Sequence, residues 1–164
     1  MIIYLKNKDT LKVDDFYFKC CIGKNGKSKK KIEGDQKTPS GIYQIEHLYF
    51  RKNRNEPIDT NLKTIPINPD MGWCDDVGNY EKYNKLINIG PKISHEKLYR
   101  KDSKYDLLIP IKYNYNIRIP GKGSCIFIHL TKNYKPTAGC IALKKKDFLI
   151  MLKIIKKNTK IKVY

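Results

Sequence analysis

The sequence predicts a mostly β, β-rich α+β domain, a curved sheet or sandwich closed by a C-terminal helix. Three observations predict it. Short runs of β-branched and aromatic residues recur between polar segments that carry glycine or proline, as in residues 2–5, 16–22 and 124–130. Helical spacing is clearest near the C-terminus, where Phe148, Leu152 and Ile155 recur at i, i+4 and i+7. The third is composition: 40% hydrophobic and 11% aromatic residues in 164 suit one folded core, in a chain that buries about 70% of its unfolded surface.

Residues 2–5 and 16–22 read as two strands around a polar turn, the start of a meander. A basic, glycine-containing loop follows over 23–31. Residues 34–41, Gly-Asp-Gln-Lys-Thr-Pro-Ser-Gly, form a tight turn that feeds a strand over 42–45. His47, just beyond it, reads as a surface or core histidine. Residues 51–69 are polar and broken by proline, so they form a long connection. Trp73, the only tryptophan, stands beside Asp75 and Asp76 and is expected to anchor a loop onto the core. Ser94 has the form of an N-cap opening a short helix over 94–98. Residues 106–114 are a strand whose Pro110 indicates an edge or a bulge. A helix starts at Lys144, with Asp147 near its beginning and Lys153, Lys156 and Lys157 near its end, matching the helix dipole. Residues 161–164 make a last strand.

The formal charge of +18 admits a nucleic acid, an anionic polymer or a membrane surface as partner. The lysines are spread along the chain, however, and no nucleic-acid motif stands among them, so no specific nucleic acid is expected. No apolar run approaches the roughly 18 residues of a membrane span. The N-terminus turns charged too soon for a secretory signal, which points to the cytoplasm for the chain as it reads, or to the periplasm and cell envelope if a leader is processed away. Cys20, Cys21, Cys74, Cys125 and Cys140 form no C-x-x-C pair and no zinc spacing. Their odd number suits free thiols. Cys125, four residues before His129, is expected on the same face of one strand. A monomer needing no metal or organic cofactor is expected.

The chemistry concentrates in residues 123–143. Residues 124–130 read as a strand ending in His129, residues 132–136 as a loop, and residues 140–143 as a second strand beginning at Cys140. Strand, loop and strand carry His129 and Cys140 back towards each other. A thiol with an ordinary pKa of about 8.5 is activated when a neighbouring histidine lowers it. Gly139 lets backbone and substrate carbonyl approach closely, and amides near Gly139 and Cys140 are candidate oxyanion donors. The alternative is a buried structural cysteine beside a core histidine.

His129 followed by Thr137-Ala138-Gly139-Cys140-Ile141-Ala142-Leu143 resembles the signature of the L,D-transpeptidase (YkuD-type) catalytic domain. That signature is a histidine, a gap of roughly a dozen residues, then Ser/Thr-x-Gly-Cys-Val/Ile. The turn over 34–41 is similar to the family's upstream Gly-Asp-x-x-Thr-Pro-x-Gly. Residues 94–99 and 120–124 resemble segments of a short, single-domain branch, which implies one catalytic domain over 1–164. Ala138 stands where many members have a second histidine and Ala142 where many have arginine, so contacts made by those side chains do not carry over.

The resemblance implies acyl transfer through a Cys140 thioester, with His129 as base and Gly139 in the nucleophile loop. His129 would be oriented by a backbone carbonyl, without a catalytic Asp. The implied partners are peptidoglycan stem peptides or muropeptides, with His95, Trp73, Asp76, Asn84 and Arg100 as candidate substrate contacts. Three functions compete: a wall cross-linking transpeptidase, an L,D-carboxypeptidase trimming recycled stems, and a non-enzymatic basic binding module.

Overall fold

The structure, a computed structural model, describes residues 1–55 and 57–164. Strands β1 (Ile2–Leu5), β2 (Thr10–Val13) and β3 (Phe16–Cys21) form the expected antiparallel meander. Alternation drives it: Ile3, Leu5, Leu11 and Val13 point inward while their neighbours stay at the surface. The two-residue strands β4 (Lys27–Ser28) and β5 (Thr38–Pro39) pair in parallel. Then come β6 (Gly41–Gln44), β7 (Leu48–Phe50), β8 (Thr64–Pro66), β9 (Met71–Cys74), β10 (Leu86–Asn88), β11 (His95–Lys97), β12 (Leu107–Pro110), β13 (Phe127–Leu130) and β14 (Ile141–Leu143). Helix α1 (Lys145–Ile154) and β15 (Lys160–Val163) end the chain.

Among the described residues, ten strands make one sheet in the order β6-β15-β1-β2-β3-β14-β13-β12-β7-β8. Just past β6, Ile45 pairs with Ile111 beyond β12, and Glu46 N–H donates to the Pro110 carbonyl at 2.9 Å. These contacts bring the β6 edge against β12, so the sheet curls back on itself. Strands β10, β9 and β11 form a small separate sheet. No described helix is long and apolar enough to cross a membrane.

The curl separates two apolar clusters. The larger takes Ile3, Leu5, Leu107, Ile109, Ile128 and Leu143 together with Phe148, Met151, Leu152 and Ile155 around α1. The smaller holds Tyr49, Trp73, Leu98, Tyr105, Leu108, Phe127 and Cys140. Strand period sorts residues between them. On β13, Ile128 and Leu130 face the larger cluster, while Phe127 lies in the smaller one and shares its face with His129.

Several expectations change. Residues 94–98 do not begin a helix: 95–97 pair with β9, and the Ser94 hydroxyl donates to Asp75 at 2.6 Å instead of capping. A run this short cannot recover the cost of helix nucleation, whereas a strand edge is already present. Trp73 sits on a strand, not a loop, and residues 51–69 contain a 3₁₀ turn (Lys52–Arg54) and β8. Pro110 ends a strand flanked on both sides, where its missing N–H costs little. Cys125 adopts a positive φ of 53°, which ends the strand register before His129 and breaks the expected shared face.

Candidate active site

The loop before Cys140 is held by the turn at residues 31–39, a hundred residues upstream. Asp35 makes that turn. Its carboxylate accepts from the Ile32 and Lys37 amides, both at 2.9 Å, and from the Lys31 ammonium at 2.7 Å. Burial opposes its charge, but these three donors prevail and hold its pKa below the ordinary carboxylate value. The turn delivers the Lys37 carbonyl and Thr38 to Gly139. The Thr38 hydroxyl donates to the Gly139 carbonyl at 2.9 Å and accepts from the Gly23 amide at 3.0 Å. Gly139 has φ +147°, and a Cβ there would lie 2.9 Å from the Lys37 carbonyl oxygen. Only glycine fits.

Thr137 closes the loop from within. Its hydroxyl donates to the Cys140 carbonyl at 2.6 Å and accepts from the Gly139 amide at 3.1 Å. Beyond it, β14 runs parallel to β13 with His129 opposite Ala142. Cys140 is two residues before Ala142, so period 2 puts both on His129's face. From rise and strand spacing, about 6.6 Å along and about 4.8 Å across, the two backbones stand near enough for thiol and imidazole to face one site.

Cys140 and His129 line one cleft of about 1040 Å³. The Phe127 amide donates to Cys140 Sγ at 3.3 Å, and the thiol donates to the Cys125 carbonyl at 3.2 Å. His129 Nδ1 lies 2.9 Å from the Leu130 carbonyl. A carbonyl only accepts, so the neutral ring carries its proton on Nδ1 and leaves Nε2 as a lone pair. The Tyr105 ring meets the imidazole edge to face, with centroids 5.2 Å apart.

Burial governs both groups. It pushes the Cys140 thiol up to about 12, against the Phe127 amide. It pulls His129 down to about 4, helped by nearby Lys104 and Arg100 and opposed by the Leu130 carbonyl. Against the sequence expectation of a histidine-lowered thiol, burial here favours the neutral thiol and the neutral imidazole.

Arg100 also lines the cleft. It is bound to Asp102 at 2.7 Å and Glu96 at 3.1 Å and lies over the Tyr105 ring at 5.1 Å. His95, Trp73, Asp76 and Asn84 are not among the cleft-lining residues. Trp73 is buried against Tyr49 and Phe127, and its indole donates to Asn84 Oδ1 at 2.9 Å. Asn84, at φ 55°, also donates to the Tyr113 and Asn114 carbonyls. Asp76 accepts from the Gly78 and Ser94 amides. His95 Nδ1 sits 2.7 Å from the Ile93 carbonyl. Lys31, Thr38, Tyr105 and Thr137 complete the surroundings of Cys140 and His129. Thr38 and Thr137 lie inside the motifs over 34–41 and 137–143, whereas Lys31 and Tyr105 carry no local signal in the sequence. Among the described residues, no three His, Cys, Asp or Glu side chains gather as a metal site.

Comparison with known proteins bears on the family and the fold. No curated protein sequence matches the chain. Among solved structures, it is similar to the helical cell shape determining protein Pgp2 from Campylobacter jejuni, with a TM-score of 0.50 and 18% identity over 99% of this chain and 46% of that one. Bd1075 from Bdellovibrio bacteriovorus gives 0.50 and 14%, over 99% and 47%. An L,D-transpeptidase from Mycobacterium smegmatis gives 0.45 and 11%, over 99% and 57%. The chain thus spans about half the length of the first two, and the likeness is one of fold. The sequence model of the L,D-transpeptidase catalytic domain (YkuD) matches residues 1–163, and the chain belongs to that family.

Proposed function

We propose that the chain catalyses acyl transfer on peptidoglycan stem peptides through a thioester on Cys140, with His129 as general base. The observation that carries this reading is the placement of Cys140 and His129 on one cleft, with His129 Nδ1 at the Leu130 carbonyl and Nε2 free to take a proton. Cys140 Sγ attacks the carbonyl carbon of an L-to-D peptide bond as its proton passes to Nε2. Because the resting pair is neutral, transfer accompanies attack instead of preceding it. The tetrahedral oxyanion collapses, the C–N bond breaks, and His129 returns the proton to the departing amine. An acceptor amine then attacks the thioester carbonyl, the C–S bond breaks, and the amine's proton returns through His129 to the Cys140 thiolate. Water in place of the amine gives carboxypeptidation.

The test is incubation with a purified tetrapeptide stem, with cross-linked dimer and released D-alanine resolved by mass. Turnover is expected in the wild type and absent in Cys140→Ala, while single replacement of each of the other four cysteines keeps it. Full turnover in Cys140→Ala overturns the assignment.

A further inference from the structure

A second basin, of about 610 Å³, adjoins the catalytic cleft and shares Arg54 with it as a common wall. On one side stand the 3₁₀ turn Lys52–Arg54 and residues 57–59. On the other runs a stripe of α1, Lys145, Leu149 and Lys153, spaced four apart and so on one helix face. Ile58 and Leu149 are half-buried against the main core and give the basin an apolar floor. Among the described residues, four cations (Lys52, Arg54, Lys145 and Lys153) line it against one carboxylate, Asp59. Asp59 reaches Lys153 at 3.6 Å, but both are well exposed and such a pair is weak.

The shared wall is anchored towards the cleft. The Arg54 guanidinium donates to the Lys101 and Asp102 carbonyls and to the Asp106 carboxylate, each at 3.0 Å. Its own carbonyl accepts from Lys145 Nζ at 3.5 Å on the basin side. The cleft therefore adjoins, at Arg54, a concavity whose described lining is mostly cationic and does not include Cys140.

We infer that this basin binds the carboxylate-bearing part of the acceptor, a second stem peptide whose amine reaches the Cys140 thioester across Arg54; the inference rests on the acyl-transfer reading above. A donor carbonyl must lie at Cys140, so an acceptor longer than its reacting amine must leave the cleft over a wall. Arg54 is a wall with a second concavity behind it. Its lysines match the acceptor's carboxylates, and Ile58 and Leu149 match its aliphatic parts. Water, the competing acceptor, uses none of this.

The test is the double variant Lys145→Glu/Lys153→Glu, at two exposed positions, with circular dichroism to verify folding. With donor fixed and an intact disaccharide-tetrapeptide acceptor varied, the acceptor KM should rise about tenfold or more, equivalent to about 1.4 kcal/mol of lost binding. Single-turnover thioester formation from donor should hold, and Lys145→Arg/Lys153→Arg should restore the acceptor KM. An unchanged acceptor KM, or an equal loss of thioester formation, overturns the proposal. If the wild type forms no thioester, the acyl-transfer reading fails by itself. The basin is then decided by titrating stem peptide into the whole chain and following the amide resonances of Lys145, Leu149 and Lys153. Shifts abolished in the Glu variant uphold it and their absence overturns it. A poly(glycerol phosphate) arm separates the anion sources: shifts with that polymer but not with the stem peptide also overturn it.

Discussion

The Thr38 hydroxyl donates to the Gly139 carbonyl at 2.9 Å, across 101 residues of chain. This bond joins the upstream Gly-Asp-x-x-Thr-Pro turn to the loop before Cys140, so the two motifs form one structural unit in this chain. Thr38 is wholly buried and also accepts from the Gly23 amide, so both partners depend on one oxygen.

Thr38→Val keeps the volume and removes that oxygen, leaving a buried carbonyl and a buried amide unsatisfied. Stability should fall by about 1–3 kcal/mol, read by urea denaturation. Turnover should fall further than the lost stability explains, because the Gly139–Cys140 backbone is released. Unchanged stability would remove Thr38 from this role.

Gly139→Ala puts a methyl group against the Lys37 carbonyl in a conformation that side chains rarely adopt. Such strain costs about 1–3 kcal/mol. The midpoint of thermal unfolding should drop and turnover should collapse. An alanine variant with wild-type turnover would show that the loop tolerates rearrangement.

Alkylation at Cys140 should report a neutral thiol. With the thiol pushed up to about 12 and His129 held down to about 4, labelling by iodoacetamide should keep climbing above pH 9, without the plateau near neutrality that a preformed ion pair gives. The linked stability has a defined sign. Keeping the thiol neutral contributes fully below the unfolded value of about 8.5 and is lost as pH rises towards 12. Keeping His129 neutral contributes fully above about 6.5 and is lost as pH falls towards 4. Mass spectrometry of the Cys140 peptide across pH tests the labelling profile.

Asp35 should mark the acid limit of the fold. Its pKa is lowered, so its contribution is present above the unfolded carboxylate value of about 3.9 and is lost as pH falls through the folded value. Asp102, lowered to about 2 by Arg100, acts in the same direction. Asp35→Asn leaves the buried Lys31 ammonium without its partner and should cost about 3–5 kcal/mol at neutral pH. A urea titration at pH 7 and pH 3 measures both, and the gap between wild type and variant should narrow at pH 3.

The sequence by itself determined the mostly β class, the meander, the C-terminal helix and the nearness of His129 and Cys140 on adjacent strands lining one cleft, because each is written in local period or contiguous motif. Phe148, Leu152 and Ile155 repeat at helical spacing, and all three are buried. Tertiary structure decided the rest. Residues 95–97 became a strand because β9 offered an edge, and no local pattern encodes a neighbour. Trp73 and Asn84 hydrogen-bond each other within the packing, a relation invisible in their spacing. The burial that acts on the thiol was decided the same way. A histidine nearby in sequence suggests a lowered pKa, but burial raises it, and burial is fixed only when the curled sheet closes around Cys140.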